Sequence, residues 1–203
     1  LRAITKDHCD FLTVTQEALD WALEAQELTD PALRARLLDL YRDLGAYPEA
    51  RACLEAVRGR GLATGSLSNG SPEMLASACD AAGIGALLDH VLSVEEVGVF
   101  KPSSKVYDLV GARFGSTKDQ VLFVSSNGWD AGCAAAYGFT SVWVNRAAAP
   151  VARLPGQPAH QVPDLSHVPA LIPANAEKPE DAPRQATRVQ FFTTDDGLRL
   201  AYD

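Results

Sequence analysis

The chain has 203 residues, enough for one domain of ordinary size plus an accessory segment. Hydrophobic residues make up 47% and charged residues 22%, the mix of a globular protein and not of a disordered or fibrous one. The net charge of −8 argues against nucleic acid or an anionic membrane surface as partner, whereas one local cation still permits a small anionic substrate.

The four cysteines, Cys9, Cys53, Cys79 and Cys133, show no C-x-x-C spacing, so reduced, mostly buried thiols are expected. No basic-then-apolar leader opens the chain and no apolar run approaches the length of a membrane span. The cytoplasm is the expected compartment.

Residues 1–58 read as helical. Phe11, Val14, Ala18, Leu19, Ala22 and Leu23 form a helical stripe. Asp30 and Pro31 open a second helix with Leu33, Leu37, Leu40 and Leu44 on its apolar face, and Gly45 is expected to end it. A third helix is expected over 48–57. From residue 62 the pattern changes to alternation of strand and helix. Strands are expected over 62–67, 90–94, 121–124 and 141–144, and helices over 71–82, 103–114 and 130–137. Ser71-Pro72-Glu73 is a strong helix start: a cap, a proline at the first helical position and an acid at the positive end of the dipole. Alternation of this kind predicts an α/β fold with a mostly parallel sheet covered by helices on both faces. Residues 147–187 are rich in Pro and Ala without periodicity and read as a linker. Two apolar runs flanking Asp195-Asp196-Gly197 give a β-hairpin signal over 188–203.

Three polar stretches follow the strand-like runs: Leu67-Ser68-Asn69-Gly70-Ser71, Phe100-Lys101-Pro102 and Ser125-Ser126-Asn127-Gly128-Trp129-Asp130. Polar groups at the C-terminal ends of parallel strands lie where α/β sheets bind ligands. Each residue also has an ordinary structural explanation. Ser68 and Ser71 suit turns and caps, Asn69 and Asn127 suit turns, and Asp130 suits a helix start. The set, in this order on successive strand ends, favours a site. The histidines His8, His90, His160 and His167 show no ligand or triad spacing, and Gly65 to Gly70 is not a nucleophile elbow.

With Tyr107 downstream of Lys101-Pro102, these motifs resemble the haloacid dehalogenase superfamily, and within it the type II (S)-2-haloacid dehalogenases. The stretch 11–19 also resembles that family's helical cap. The resemblance covers 1–146. It implies a Rossmann-like core in which an aspartate displaces halide from a small 2-haloacid, forming an aspartyl ester that water hydrolyses to a 2-hydroxy acid. On that basis Lys101, Ser125, Asn127 and Asp130 are catalytic candidates, and Ser68, Asn69 and Tyr107 are substrate-binding candidates. Ser68 and Asn69 would donate to the carboxylate or halide. Lys101 would supply positive charge beside two anions. Ser125 and Asn127 would hold the nucleophile or water, and Asp130 would pair with Lys101 or polarise that water. The resemblance also implies a homodimer through the cap. No metal or other cofactor is expected: magnesium-dependent phosphatase relatives keep two acids in the last motif, and here the first is Ser126. A phosphatase of small phosphate esters and a non-catalytic remnant are the alternative readings.

The resulting division is a partial helical cap over 1–46, a core over 47–146 lacking its first strand, the linker over 147–187 and the hairpin over 188–203. The last segment resembles the opening of an α/β-hydrolase domain. The family's first strand, which ends in the nucleophilic Asp, does not precede the cap segment in this sequence, so the nucleophile is expected outside the chain. In an alternative, 191–194 takes the place of that strand and Asp195 or Asp196 attacks; the chain order argues against it.

Overall fold

Short apolar runs rich in β-branched residues form a parallel sheet in the computed structural model, which describes residues 2–41, 44–173 and 189–193. The strands are β1 (Ala63–Ser68), β2 (His90–Ser93), β3 (Val121–Ser125), β4 (Thr140–Val144), β5 (His160–Val162) and β6 (Val189–Thr193). Their order is β2-β1-β6-β3-β4-β5, and every described pairing is parallel. Helices α1 (Arg2–Thr5), α2 (Phe11–Ala25), α3 (Pro31–Asp39) and α4 (Ala50–Gly59) precede β1, and α5 (Pro72–Ala81), α6 (Ser104–Phe114) and α7 (Gly128–Tyr137) connect β1 to β4 in turn. The expected α/β class is therefore the observed one.

Side-chain alternation divides the core into two layers. Along β3, Val121 and Phe123 join Leu67, Leu92, Tyr107 and Val110 on one face. Val124 joins Val142, Val144, Cys53 and Val57 on the other. Among the described residues no helix is long and apolar enough to cross a membrane. All four cysteines are free thiols, and burial pushes the Cys53 thiol up to about 12.

Local chemistry sets most boundaries as the sequence implies. Asp10 and Asp30 accept from the backbone N–H groups of Thr13 and Ala32, capping α2 and α3. Ser71 accepts from Met74 N–H, with Pro72 at the first position of α5. Gly115, at φ 64°, ends α6 in the left-handed conformation that costs other residues most.

Three expectations need correction. The second helix ends at Asp39 and not at Gly45. It has no buried residue, so packing does not hold further turns in place. The linker over 147–187 is partly structured. Residues 160–162 form edge strand β5, and a 3₁₀ segment, Leu165–Leu171, buries Val168 against the core. A few well-spaced apolar side chains suffice there, although no periodicity marks them. Finally, the slot between β1 and β3 is filled: Val189–Thr193 lies in it, parallel to both, with Phe192 opposite Ser66 and Val124 and Thr193 opposite Ser125. An open slot would leave two rows of backbone groups unpaired. The second arm of the expected hairpin, with Asp195 and Asp196, lies outside the described residues.

Two consequences are testable. A Cβ at Gly65 would stand 2.7 Å from Phe114 Cζ and 2.9 Å from the His90 carbonyl oxygen, a backbone atom that cannot swing away. Gly65→Ala should lower the urea-unfolding free energy by ~1–3 kcal/mol. Glu49 joins the segment entering α4 to the turn after β4 through Arg146 Nη2 at 2.5 Å. Burial pushes the Glu49 carboxyl up, but its backbone bonds and the Arg146 guanidinium outweigh this and hold it below its ordinary value. A depressed folded-state value means stability present above the unfolded carboxylate value of ~4.5 and lost as pH falls through the folded one. Glu49→Gln should therefore cost about 1 kcal/mol at neutral pH, and urea titrations of the two proteins should converge in acid.

Candidate active site

The C-terminal ends of β1 and β3 carry matched turns. Ser68 Oγ accepts from Gly70 N–H at 3.0 Å, and Ser125 Oγ accepts from Asn127 N–H at 3.1 Å. In each, a hydroxyl two residues back caps the turn that leaves the strand. Both serines are buried, and their hydroxyls are thereby fixed at the sheet edge.

Between them lies a buried polar cluster centred on Lys101. Its ammonium donates to the Leu67 carbonyl at 2.7 Å and contacts Asp130 Oδ2 at 3.3 Å. Both side chains are fully buried. The other carboxylate oxygen, Asp130 Oδ1, accepts from the Tyr107 hydroxyl at 2.9 Å. Lys101 also lies 5.5 Å from the centre of the Phe123 ring, a favourable face for a cation. Its backbone N–H donates to Asn69 Oδ1 at 3.0 Å, tying the loop after β2 to the turn after β1.

Each position follows from local structure. Asp130 is in the first turn of α7, where the helix dipole favours a carboxylate. Tyr107 is in α6, whose buried stripe Val106, Tyr107 and Val110 packs on the sheet. Lys101 follows an apolar loop, Val97, Val99 and Phe100, that packs against the same core.

Above the strand ends is a cavity of about 750 Å³. Phe11 and Leu19 from α2, with Leu37 and Leu40 at and beyond the end of α3, line its helical side. Ser68, Ser125 and Ser126 line its sheet side. The space therefore lies between the helical segment and the core, a common location for ligand sites.

The expected residues thus separate into two groups. Ser68 and Ser125 border the cavity. Lys101, Tyr107 and Asp130 form the buried cluster behind them, and Asn69 braces it. Asn127 stands at the start of α7 without a side-chain capping bond. The Tyr107 hydroxyl binds Asp130, so its described contact is with the cluster.

One lining residue escapes the sequence reading. Arg146, just past β4, is the only charged side chain among the described residues around the cavity. It is stacked 3.6 Å over the Tyr47 ring and paired with Glu49. Its place after a fourth strand end is the signal that could have marked it.

Among the described residues, no group of three or more His, Cys, Asp or Glu side chains could hold a metal ion. Asp130 already serves an ammonium and a phenol, and Ser126 is exposed with its carbonyl accepting from Trp143 Nε1. This donor set does not fit a hard dication that favours several carboxylate and water oxygens.

Comparison with known proteins identifies the family. Residues 6–138 match the family model of haloacid dehalogenase-like hydrolases. The chain is 40% identical over 172 residues to (S)-2-haloacid dehalogenase 1 of Pseudomonas sp. (strain CBS-3), covering 84% of this chain and 76% of that protein. It is 36% identical over 178 residues to (S)-2-haloacid dehalogenase 4A of Burkholderia cepacia, covering 87% and 77%. Among solved structures, it superposes with a TM-score of 0.75 on L-2-haloacid dehalogenase from Xanthobacter autotrophicus with chloropropionic acid covalently bound, at 34% identity over 84% of this chain and 78% of that one. A dehalogenase with an intermediate complex gives a TM-score of 0.82 at 36% identity, covering 88% and 77%. With sequence, strand-end chemistry and three-dimensional likeness in agreement over most of its length, the chain belongs to the haloacid dehalogenase-like hydrolase family.

Proposed function

We propose that this protein hydrolyses the carbon–halogen bond of small (S)-2-haloacids to 2-hydroxy acids through an aspartyl ester. The observation that carries this reading is the buried Lys101–Asp130–Tyr107 cluster beneath two strand-end serines. A carboxylate oxygen attacks C2 as the halide leaves. Water then adds to the ester carbonyl, the acyl C–O bond breaks, and the carboxylate is regenerated. Both steps bring negative groups together in a low-dielectric pocket, where a fixed cation lowers the barrier. Lys101 supplies that charge, and Asp130 with Tyr107 holds it in place. Ser68 and Asn69 bind the substrate carboxylate or departing halide. Ser125 and Asn127 hold the attacking carboxylate or the water. Tyr107 acts on the substrate pocket from behind, through its bond to Asp130.

Asp130 is the only fully buried carboxylate among the described residues, and both its oxygens are engaged. It therefore positions charge and does not attack. The nucleophile comes from outside the described residues, on a strand entering from upstream of the cap segment. The reaction uses no metal, since halide departure requires no shielding of phosphoryl oxygens and the donor set is poor. For the same reason dehalogenation is favoured over phosphatase chemistry. The substrate is a small molecule, the active unit a homodimer joined through cap helices, and the compartment the cytoplasm.

One observation favours a second source of the nucleophile. Strand β6 lies between β1 and β3, and Asp195 and Asp196 follow Thr193 by two and three positions in the sequence.

Chloride release from (S)-2-chloropropionate separates these readings. The chain, the same chain preceded by an apolar strand ending in Asp, and the double variant Asp195→Asn/Asp196→Asn are compared. Release only from the extended protein supports the upstream nucleophile. Release by the chain itself, abolished in the double variant, transfers the role to the tail. Absence of release from all three refutes the dehalogenase reading, and phosphate release with Mg²⁺ would replace it by a phosphatase. In the active form, Lys101→Met should reduce kcat by about 10²–10³-fold. It should also cost ~3–5 kcal/mol of stability, because Asp130 is left buried without its cation. Tyr107→Phe removes one bond to a carboxylate and should cost ~1.5–3 kcal/mol, with a smaller loss of kcat.

A further inference from the structure

The helical segment and the core meet at a polar contact in the turn after β2. His8, in the connection between α1 and α2, places Nε2 3.1 Å from Glu95 Oε2, in the turn after β2. The two side chains are about three-quarters buried. His8 Nδ1 and Glu95 Oε1 are buried without a hydrogen-bond partner, so each side chain's polar tie is to the other. The His8 ring also packs on Phe100 at 4.9 Å between centroids, and Phe11, from the first turn of α2, meets Phe100 edge-on at 6.2 Å.

Both core partners lie in the loop that ends in Lys101. Phe100 is its immediate neighbour. Glu95 donates its backbone N–H to Ser93 Oγ at 3.2 Å, and that hydroxyl donates to the Gly70 carbonyl at 2.7 Å. Gly70 N–H in turn bonds Ser68 Oγ. One histidine on the helical segment therefore grips the 93–101 loop at two places, and that loop is bonded to the Ser68 turn.

We propose that His8 is a positioning residue: its bond to Glu95 and its contact with Phe100 couple docking of the helical segment to the placement of Lys101. The importance of this coupling for turnover rests on the role proposed for Lys101 above; the coupling itself does not. When His8 is seated, the loop is held from its outer side while Asn69 holds the Lys101 N–H from its inner side. When the segment lifts, the outer hold is lost.

Amide-resolved hydrogen exchange on the full chain without substrate tests this directly, and it remains readable if the dehalogenase reading fails. The informative amides are Val97 and Gly98, bonded to the Val94 carbonyl, and Lys101, bonded to Asn69. His8→Ala should speed their exchange about tenfold, while Ala131 and Phe139 at the ends of α7 keep their rates. His8→Phe preserves the ring against Phe100 but loses the Glu95 bond, and should give a smaller rise at the same amides. If His8→Ala fails to fold, His8→Phe decides. A rise confined to residues 2–25 would mean that His8 merely pins the helical segment. That result in His8→Phe, an equal rise across the whole sheet, or unchanged exchange at Lys101 overturns the proposal.

Discussion

A single ammonium group organises the centre of this protein. Lys101 reaches under the sheet edge to bind the Leu67 carbonyl at the end of β1, the Asp130 carboxylate at the start of α7 and, through that carboxylate, the Tyr107 hydroxyl of α6. Four separate pieces of chain converge on one buried charge. Such a charge is tolerable only when it is paired and its hydrogen bonds are made. The requirement is mutual: Asp130 needs Lys101 as much as Lys101 needs Asp130. The pair consequently fixes the spacing between one strand end, one loop and two helices, which is the spacing that any reaction at the rim must use.

The layers around the pair serve this constraint. The alternation of β3 sends Phe123 to the side of Tyr107 and Lys101 and Val124 to the opposite layer. Aromatic contacts among Tyr107, Phe123 and Phe139 fill the space beneath the cation with rigid rings. In contrast, the helical segment above the rim is lightly packed. Thr15 is the only buried residue of α2, and α3 has none. A rigid floor beneath a loosely held roof suits a site that must admit a ligand and then exclude water.

The residues around the cavity show how the work is divided. The serines at the ends of β1 and β3 face the open space, while the charges stand one layer behind them. A ligand would meet neutral hydroxyls backed by a cation it does not displace. Arg146, held by Glu49 and Tyr47, adds a guanidinium where the segment entering α4 crosses the end of β4. Family membership makes the chain a haloacid dehalogenase-like hydrolase, and the buried pair sits directly behind the rim of its cavity.

Much of this was legible in the sequence because it is encoded over short distances. Caps at Asp10, Asp30 and Ser71, the stop at Gly115, the apolar runs of the strands and the polar residues just past them all act within a few positions of chain. These local rules determined the α/β class, the element order as far as β4, and the places of Ser68, Ser125 and Asp130 at strand and helix ends and of Lys101 in the loop after β2. Only tertiary structure decided what depends on long-range packing. The close of α3 at Asp39, the docking of 160–172 on the core and the entry of Val189–Thr193 between β1 and β3 all depend on which distant surfaces are left to cover. The bonding of Tyr107 to Asp130 and the place of Arg146 beside the cavity were equally hidden, because side-chain direction at such range is set by the packing of whole elements and not by neighbours in the chain.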